Sequence, residues 1–366
     1  MIVLLIVLIA VLAIVQYRST INPFDGIKFD YQCSKLLVEP DEEFEVVTTI
    51  TNTKLRFVPY IKMNQIFPSS IKVRNLLPDR VSDMGDHSYY SASLYLMPRS
   101  KYIRKVSGVL PRRGCHTFQG ANLLGGDFMG FSEHPRRFPA EREIVVYPKA
   151  VDVGNVDIVM GGIMGDISVR RLVMEDPVLI AGFRDYSGRE PMKAISWNHS
   201  ARVGKLMVRQ FDHTIDPAIS IMLDVEDKIR AGSAERKELA FSMTRSVCQN
   251  LENQGMKYDF ITNSTTADAF SKWSYMPESI GLRHFSVIME GLGRADYNHT
   301  GSLRRLAERF VEKRLYDRFV ILVTVKSKAD VSSEIAAIEN NIGGKVFVMS
   351  AEEFCYELDT HSEAVC

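Results

Sequence analysis

Apolar and polar residues alternate in different ways along the chain, and the changes of period mark its parts. An uninterrupted apolar run, MIVLLIVLIAVLAIV, extends from Met1 to Val15. Wound as a helix it covers about 22 Å, short of the roughly 30 Å hydrocarbon core of a bilayer. Gln16 and Tyr17 carry it toward the headgroup region, so residues 1–17 are expected to form a membrane anchor helix. No Lys or Arg precedes the run and no Ala-x-Ala follows it, which favours a retained anchor over a cleaved signal. The nearest cations, Arg18 and Lys28, lie on its C-terminal side and place the rest of the chain in the cytoplasm.

From residue 27 to 149 the period is two. In EFEVVTTIT, Phe44, Val46, Thr48 and Ile50 share one face; in SYYSASLYLM, Tyr90, Ala92, Leu94 and Leu96 do. Turn signals at Glu39-Pro40-Asp41, Pro111 to Gly114 and Gly125-Gly126-Asp127 break these runs. About seven strands without an amphipathic helix predict an immunoglobulin-like β-sandwich.

After a Gly- and Met-rich connector (150–182), in which Asp176-Pro177 reads as a chain break, the pattern changes again. AISIMLD, KYDFIT, RFVILVTV and KVFVM are short apolar runs of the kind buried parallel strands make. Between them lie helical spacings: Leu239, Met243, Val247 and Leu251 behind a capping Ser233; Leu282, Phe285, Met289 and Leu292; Leu303, Leu306 and Phe310 behind Ser302; and Ile335, Ile338 and Ile342 before Gly343-Gly344. Alternating β and α predicts a doubly wound parallel sheet over residues 212–358, leaving 359–366 as a tail. The fold class is therefore all-β followed by α/β.

Composition narrows the function classes. A 366-residue chain with 46% hydrophobic and 25% charged residues folds, and a formal net charge of zero argues against nucleic acid. The five cysteines are odd in number, widely spaced and without a Cys-x-x-Cys, which fits reduced thiols in the cytoplasm. Enzyme signatures are missing: there is no Gly-x-Ser-x-Gly elbow, His-Glu-x-x-His, P-loop or dinucleotide fingerprint. His199 beside Ser200 suggests a base next to a nucleophile, but on an extended backbone the two would point to opposite faces. No enzymatic activity is expected.

Residues 183–211, FRDYSGREPMKAISWNHSARVGKLMVRQF, carry the densest mixture of cations and aromatics. Arg184, Tyr186 and Gly188, then Ile195-Ser196-Trp197 and Ser200-Ala201-Arg202, resemble the signature of the domain of unknown function 58 family. Where that family often has Asp directly after the glycine, this chain has Arg189 and then Glu190. PRRGCHTFQGANLLGGDFMGF, closing with VVYP, is similar to an upstream pattern of the same family. The resemblance implies a membrane-anchored protein with a β-sandwich and a von Willebrand factor A-like domain, accessory to a MoxR-type AAA+ ATPase. The segment itself is expected to be a structural clamp, with Trp197 packed inside, or a partner surface.

Von Willebrand factor A domains often bind Mg²⁺ through Asp-x-Ser-x-Ser after the first strand and an Asp after a later one. Here the first element reads Asp224-Val225-Glu226-Asp227-Lys228, and Val325 stands where the later Asp is expected. Asp224 and Glu226 are the residues left to offer oxygens to a metal. With ligands missing at two positions the expectation is no metal and no cofactor, only an acidic loop at a strand's carboxyl end. The alternative reading, an exported metal-dependent adhesion or binding module, needs that site filled and the opposite orientation.

Overall fold

The structure is a computed structural model. It describes residues 2–20, 23–74, 81–127, 132–151, 161–162, 165, 180–188, 190, 192–211, 218–227, 232–266, 271–313, 318–342 and 344–355. Most of the connector, Asp176-Pro177, Lys228 and the tail lie outside these residues. The chain divides into two compact units, Met1–Lys149 with Met289–Ala295, and Ala150–Ile288 with Asp296–Cys366.

The first unit begins with helix α1 (Ile2–Thr20). Ile6, Val7, Leu8, Ile9 and Ile14 on it are each more than half exposed. Among the described residues no helix is long and apolar enough to cross a membrane. Gln16 near its end donates to Asp127 Oδ2 at 2.6 Å.

Ten strands follow: β1 (Ile27–Cys33), β2 (Leu37–Val38), β3 (Glu43–Asn52), β4 (Val58–Pro68), β5 (Lys72–Val73), β6 (Val81–Met84), β7 (His87–Leu96), β8 (Lys101–Val109), β9 (Gly114–Gly126) and β10 (Glu133–Val146). They form two sheets, β1-β3-β8-β5 and β2-β10-β9-β4-β7-β6. The alternation in β3 does what period two requires: Phe44, Val46, Thr48 and Ile50 are all buried. Phe44, Val46 and Val106 from one sheet pack with Phe67, Phe118 and Ile144 from the other. The Thr48 hydroxyl, buried in that interior, accepts from Gln65 Nε2 at 2.6 Å. The region is thus β-rich as expected, with short strands β2, β5 and β6 that the hydrophobic pattern did not show.

The second unit opens with a two-stranded ribbon, β11 (Ile180–Asp185) and β12 (Met207–Phe211), joined through helix α2 (Trp197–Val203). From there the chain runs β13 (Ala218–Asp224), α3 (Ser233–Asn253), β14 (Tyr258–Thr262), β15 (Ser264–Thr266), β16 (Tyr275–Ser279), α4 (Leu282–Arg294), β17 (Ala295–His299), α5 (Leu303–Glu312), β18 (Arg318–Thr324), α6 (Ser332–Ile342) and β19 (Val346–Ser350), with Met289–Ala295 counted in the first unit. The sheet order is β16-β14-β13-β18-β19. β14, β13, β18 and β19 are parallel, as predicted, whereas the edge strand β16 is antiparallel. β13 and β18 are buried on both faces. Leu306 and Phe310 of α5 and Ile338 and Ile342 of α6 cover one face, over Met222, Val320 and Leu322. The alternate strand residues Ile221 and Ile321 are equally buried, and α3 packs against both strands.

Local details depart from the pattern. Helix α3 starts from Gly232, at φ 65, rather than from a capping Ser233. Leu282 is 86% exposed because α4 begins there, and His284 and Ile288 take the buried positions. The helix expected from Ser302 is present as α5, and Ser302 caps it by accepting from the Arg305 amide. Gly344 is dictated by contact: a Cβ there would meet the Arg318 carbonyl at 1.8 Å.

Asp259 on β14 is 2% exposed. Arg318 Nη1 lies 3.4 Å from it without forming a hydrogen bond, while Nη2 donates to Glu278 at 2.6 Å. Neither carboxylate oxygen of Asp259 makes a well-formed hydrogen bond among the described residues. Burial therefore prevails over Arg318 and pushes its pKa up to about 6. Since the unfolded value is lower, the stabilising contribution is complete at acid pH and lost as pH rises through that value. Urea unfolding at several pH values should show about 3 kcal/mol of such loss, and Asp259→Asn should abolish it. An unchanged pH slope in the variant would rule out Asp259 as the source.

Candidate functional site

In an open parallel sheet, ligands bind at the carboxyl ends of the strands, where the strand order reverses. Here the chain leaves β13 toward β14 on one side and reaches β18 on the other, so the reversal lies between β13 and β18. Asp224 ends β13 and pairs in register with Thr324, which ends β18. Asn263 follows β14, and Lys326 stands two residues beyond β18.

These residues converge on one carboxylate. Asp224 is fully buried. Its Oδ1 accepts from Asn263 Nδ2 at 2.6 Å and from the Glu226 amide at 3.1 Å. Its Oδ2 accepts from the Thr324 hydroxyl at 2.9 Å, and the Lys326 ammonium lies 3.5 Å away. Lys326 also donates to Glu226, whose Oε2 accepts from the Leu303 amide at the start of α5 at 3.0 Å. Asn263 is bound in turn: its Oδ1 accepts from the Val225 amide at 2.9 Å, and its Nδ2 donates to the Gly301 carbonyl at 3.0 Å. One lysine thus links two acidic side chains, three strand ends and a helix start.

The electrostatics follow from burial. Burial pushes the Asp224 carboxyl above the ordinary aspartate range, and Lys326 opposes that shift without cancelling it. Burial acts the same way on Glu226, but Lys326 and the Leu303 amide outweigh it and hold that carboxyl below its usual value. The two residues foreseen as oxygen donors already share an ammonium, so a metal ion would have to displace Lys326. Among the described residues no group of three or more His, Cys, Asp or Glu is placed to hold a metal. Val325, the position expected to lack its Asp, is buried, and the charge enters one residue later. Beside this cluster a cleft of about 180 Å³ is lined by Asn263, Thr300, Ser302, Arg305 and Arg309.

The 183–211 signature forms a separate constellation. Glu190 accepts from Ser187 N and Oγ and from Arg184 Nη1 at 2.6 Å, which lowers its pKa to about 2. Glu190 therefore closes the turn at Gly188, whose φ is 86. Ile195 is buried and bridges to Val208. Ser200 is buried, donating to the Ser196 carbonyl at 2.8 Å and accepting from the Met207 amide at 2.8 Å. His199 and Ser200 stand on helix α2, not on a strand, and His199 stacks on Phe183 at 4.0 Å. Trp197 is 59% exposed and does not pack inside; Ala201, Arg202 and Arg184 are exposed and Tyr186 half-buried. Trp197 is thus not packed as the clamp reading expected, since it lies on the outer side of a short helix of which only Ser200 is buried. Among the described residues no hydrogen bond or ion pair joins this constellation to Asp224.

Residues 182–336, which hold both constellations, match the family described as "Protein of unknown function DUF58". The match covers 155 of the chain's 366 residues. It is similar to the uncharacterized protein YeaD of Bacillus subtilis (strain 168), at 21% identity over 317 residues, 84% of this chain and 73% of that one. Among solved structures, a cohesin module of a Clostridium perfringens family 33 glycoside hydrolase covers 33% of this chain and 96% of its own. It is 13% identical with a TM-score of 0.26. A non-cellulosomal cohesin from Archaeoglobus fulgidus covers 32% of this chain and 91% of its own, at 12% identity and a TM-score of 0.22. Similarity at that level determines neither fold nor function.

Within the DUF58 region, sequence reasoning found Asp224 and Glu226 but missed Lys326, Asn263 and Thr324. Its one available signal was the Lys two residues past the strongest apolar strand. Lys326→Met should leave Asp224 buried without a cation and cost about 3–5 kcal/mol at neutral pH. The Asp224 pKa, already raised, should climb further, so the deficit shrinks on acidification and returns as pH rises. Urea unfolding of variant and wild type at acid and neutral pH measures this; equal stability at neutral pH would show that Asp224 does not depend on Lys326.

Proposed function

We propose that this DUF58 protein is a membrane-anchored, non-enzymatic interaction or assembly protein. Its α/β unit acts as a von Willebrand factor A-like binding domain in which lysine replaces metal, and its β-rich unit is an immunoglobulin-like sandwich. The observation that carries this reading is the Lys326 ammonium between Asp224 and Glu226 at the strand-order reversal. A divalent cation at such an edge offers an open coordination position to a partner's carboxylate. An ammonium held by two carboxylates keeps the edge ordered and leaves no such position. Binding then falls to neighbouring groups, of which Arg305 and Arg309 beside the cleft suit an acidic partner surface. The non-enzymatic reading is supported by the engagement of Asp224 with Thr324 and Asn263 and of Glu226 with Lys326.

The exposed apolar side chains of α1 support insertion into a bilayer. Arg18 and Lys28 support a cytoplasmic location for the remainder. A MoxR-type AAA+ ATPase is the partner that the family resemblance offers, and its assembly or remodelling cycle is the process in which we place the chain.

A membrane-impermeant thiol reagent tests the orientation. Cys115 is exposed whereas Cys248 is buried, so Cys115 reports on location without unfolding. Labelling of Cys115 only after lysis is the expected result. Labelling in intact cells, together with a rise in melting temperature on adding Mg²⁺, would replace this reading with the exported metal-dependent adhesion module.

A further inference from the structure

The ribbon between residues 182 and 209 exposes more than it encloses. Of its described residues only Ile195, Ser196, Ser200 and Val208 are buried. Phe183, Met192, Trp197, Val203 and Leu206 are exposed at 36%, 68%, 59%, 51% and 46%. Part of this apolar surface is continuous. Phe183 stacks on His199, and His199 and Val203 are neighbours one turn apart on α2. Arg209 pairs across from Phe183, on the same side of the ribbon.

Charge is concentrated in the same place. Residues 183–211 hold six cations (Arg184, Arg189, Lys193, Arg202, Lys205, Arg209) and two carboxylates (Asp185, Glu190), so 6 − 2 = +4 in a chain whose net charge is zero. Despite its small interior the ribbon is well ordered by hydrogen bonds. The Met207 carbonyl accepts from the Ser196 amide, the Leu206 carbonyl from the Tyr186 amide, and Gly204 closes α2 in the left-handed conformation. The aromatic and basic groups are therefore presented on a preformed scaffold.

We propose that this ribbon docks on an anionic lipid surface. Indole and phenyl rings settle at the headgroup level, where one part of the ring is wet and the rest apolar. Arg and Lys extend their stems along the apolar layer and reach lipid phosphates with their heads. A zwitterionic bilayer carries phosphates but no net negative surface potential to attract the excess cations, so anionic lipid is the specific requirement. A lipid surface is favoured over an acidic protein because α1 independently exposes a run of apolar side chains. The inference rests on the membrane anchoring and cytoplasmic orientation proposed above, which put the chain on the side of the anionic leaflet.

Trp197 provides the test, because the chain's second tryptophan, Trp273, is 2% exposed. The full chain is mixed with brominated phosphatidylcholine vesicles, with or without brominated phosphatidylglycerol, and both flotation and Trp emission are read. Quenching is expected only with phosphatidylglycerol, reversed by salt and absent from Trp197→Phe. Each cation removed shifts the docked-to-undocked ratio about fivefold, so Arg202→Gln/Lys205→Gln/Arg209→Gln should abolish the quenching. Those side chains are exposed, and an unchanged thermal unfolding curve shows that the variant folds. Flotation without quenching overturns docking while leaving anchoring intact, and it gives the ribbon to an acidic protein partner. Quenching that is equal in both vesicles also overturns it. Quenching by anionic vesicles without flotation on phosphatidylcholine supports docking and removes the anchoring proposal.

Discussion

A buried carboxylate must be compensated, and the second unit is organised around one that is. Asp224 sits without solvent contact at the end of the central strand, where desolvating an uncompensated charge would cost several kcal/mol. Four donors offset part of that cost: Asn263, Thr324, the Glu226 amide and the Lys326 ammonium. They arrive from three pieces of chain: the residues just after β13, the end of β14, and the end of β18. Satisfying one side chain therefore fixes the ends of β13, β14 and β18 against each other. Through Glu226 and the Leu303 amide it also fixes the start of α5. The cleft beside Ser302 has its shape because these elements meet at Asp224.

The same constraint limits the chemistry available. Carboxylates become catalytic or metal-binding when they retain free lone pairs, an adjustable proton or an open position. Both oxygens of Asp224 and Oε2 of Glu226 accept from protein donors, and the local cation is a side chain that cannot exchange. In the reading proposed above, such an edge positions a partner rather than reacting with it. The ribbon of residues 182–209 is the opposite case. It has little interior, and its order comes from the Ser200 and Glu190 hydrogen bonds rather than from packing. Its apolar and basic side chains are left pointing outward.

Much of the architecture was legible because burial imposes simple periods. Alternation placed Phe44, Val46, Thr48 and Ile50 on the interior face of β3, and the continuous apolar runs located β13, β14, β18 and β19. Legibility failed where neighbours in space decide the outcome. Leu282 fits a helical stripe but starts its helix, so it is exposed. His199 and Ser200 were placed on extended backbone, whereas the ribbon inserts a turn of helix between its strands. Trp197 looked like core on size alone, but it lies on the outer side of a short helix of which only Ser200 is buried. Short strands such as β2 and β5 carry too few residues to show a period.

By itself the sequence determined the succession of parts: an apolar N-terminal segment, a β-rich region, then alternating strands and helices within a DUF58 region. It did so because hydrophobic burial acts on every residue and leaves its period along the chain. It also named Asp224 and Glu226, since acidic residues past an apolar strand stand out locally. Only the tertiary structure decided what those residues do. Lys326 lies a hundred positions away, and one residue beyond the place where a partner was sought. Ion pairing acts over a few ångströms of space with no fixed distance along the chain, so it leaves no period to read.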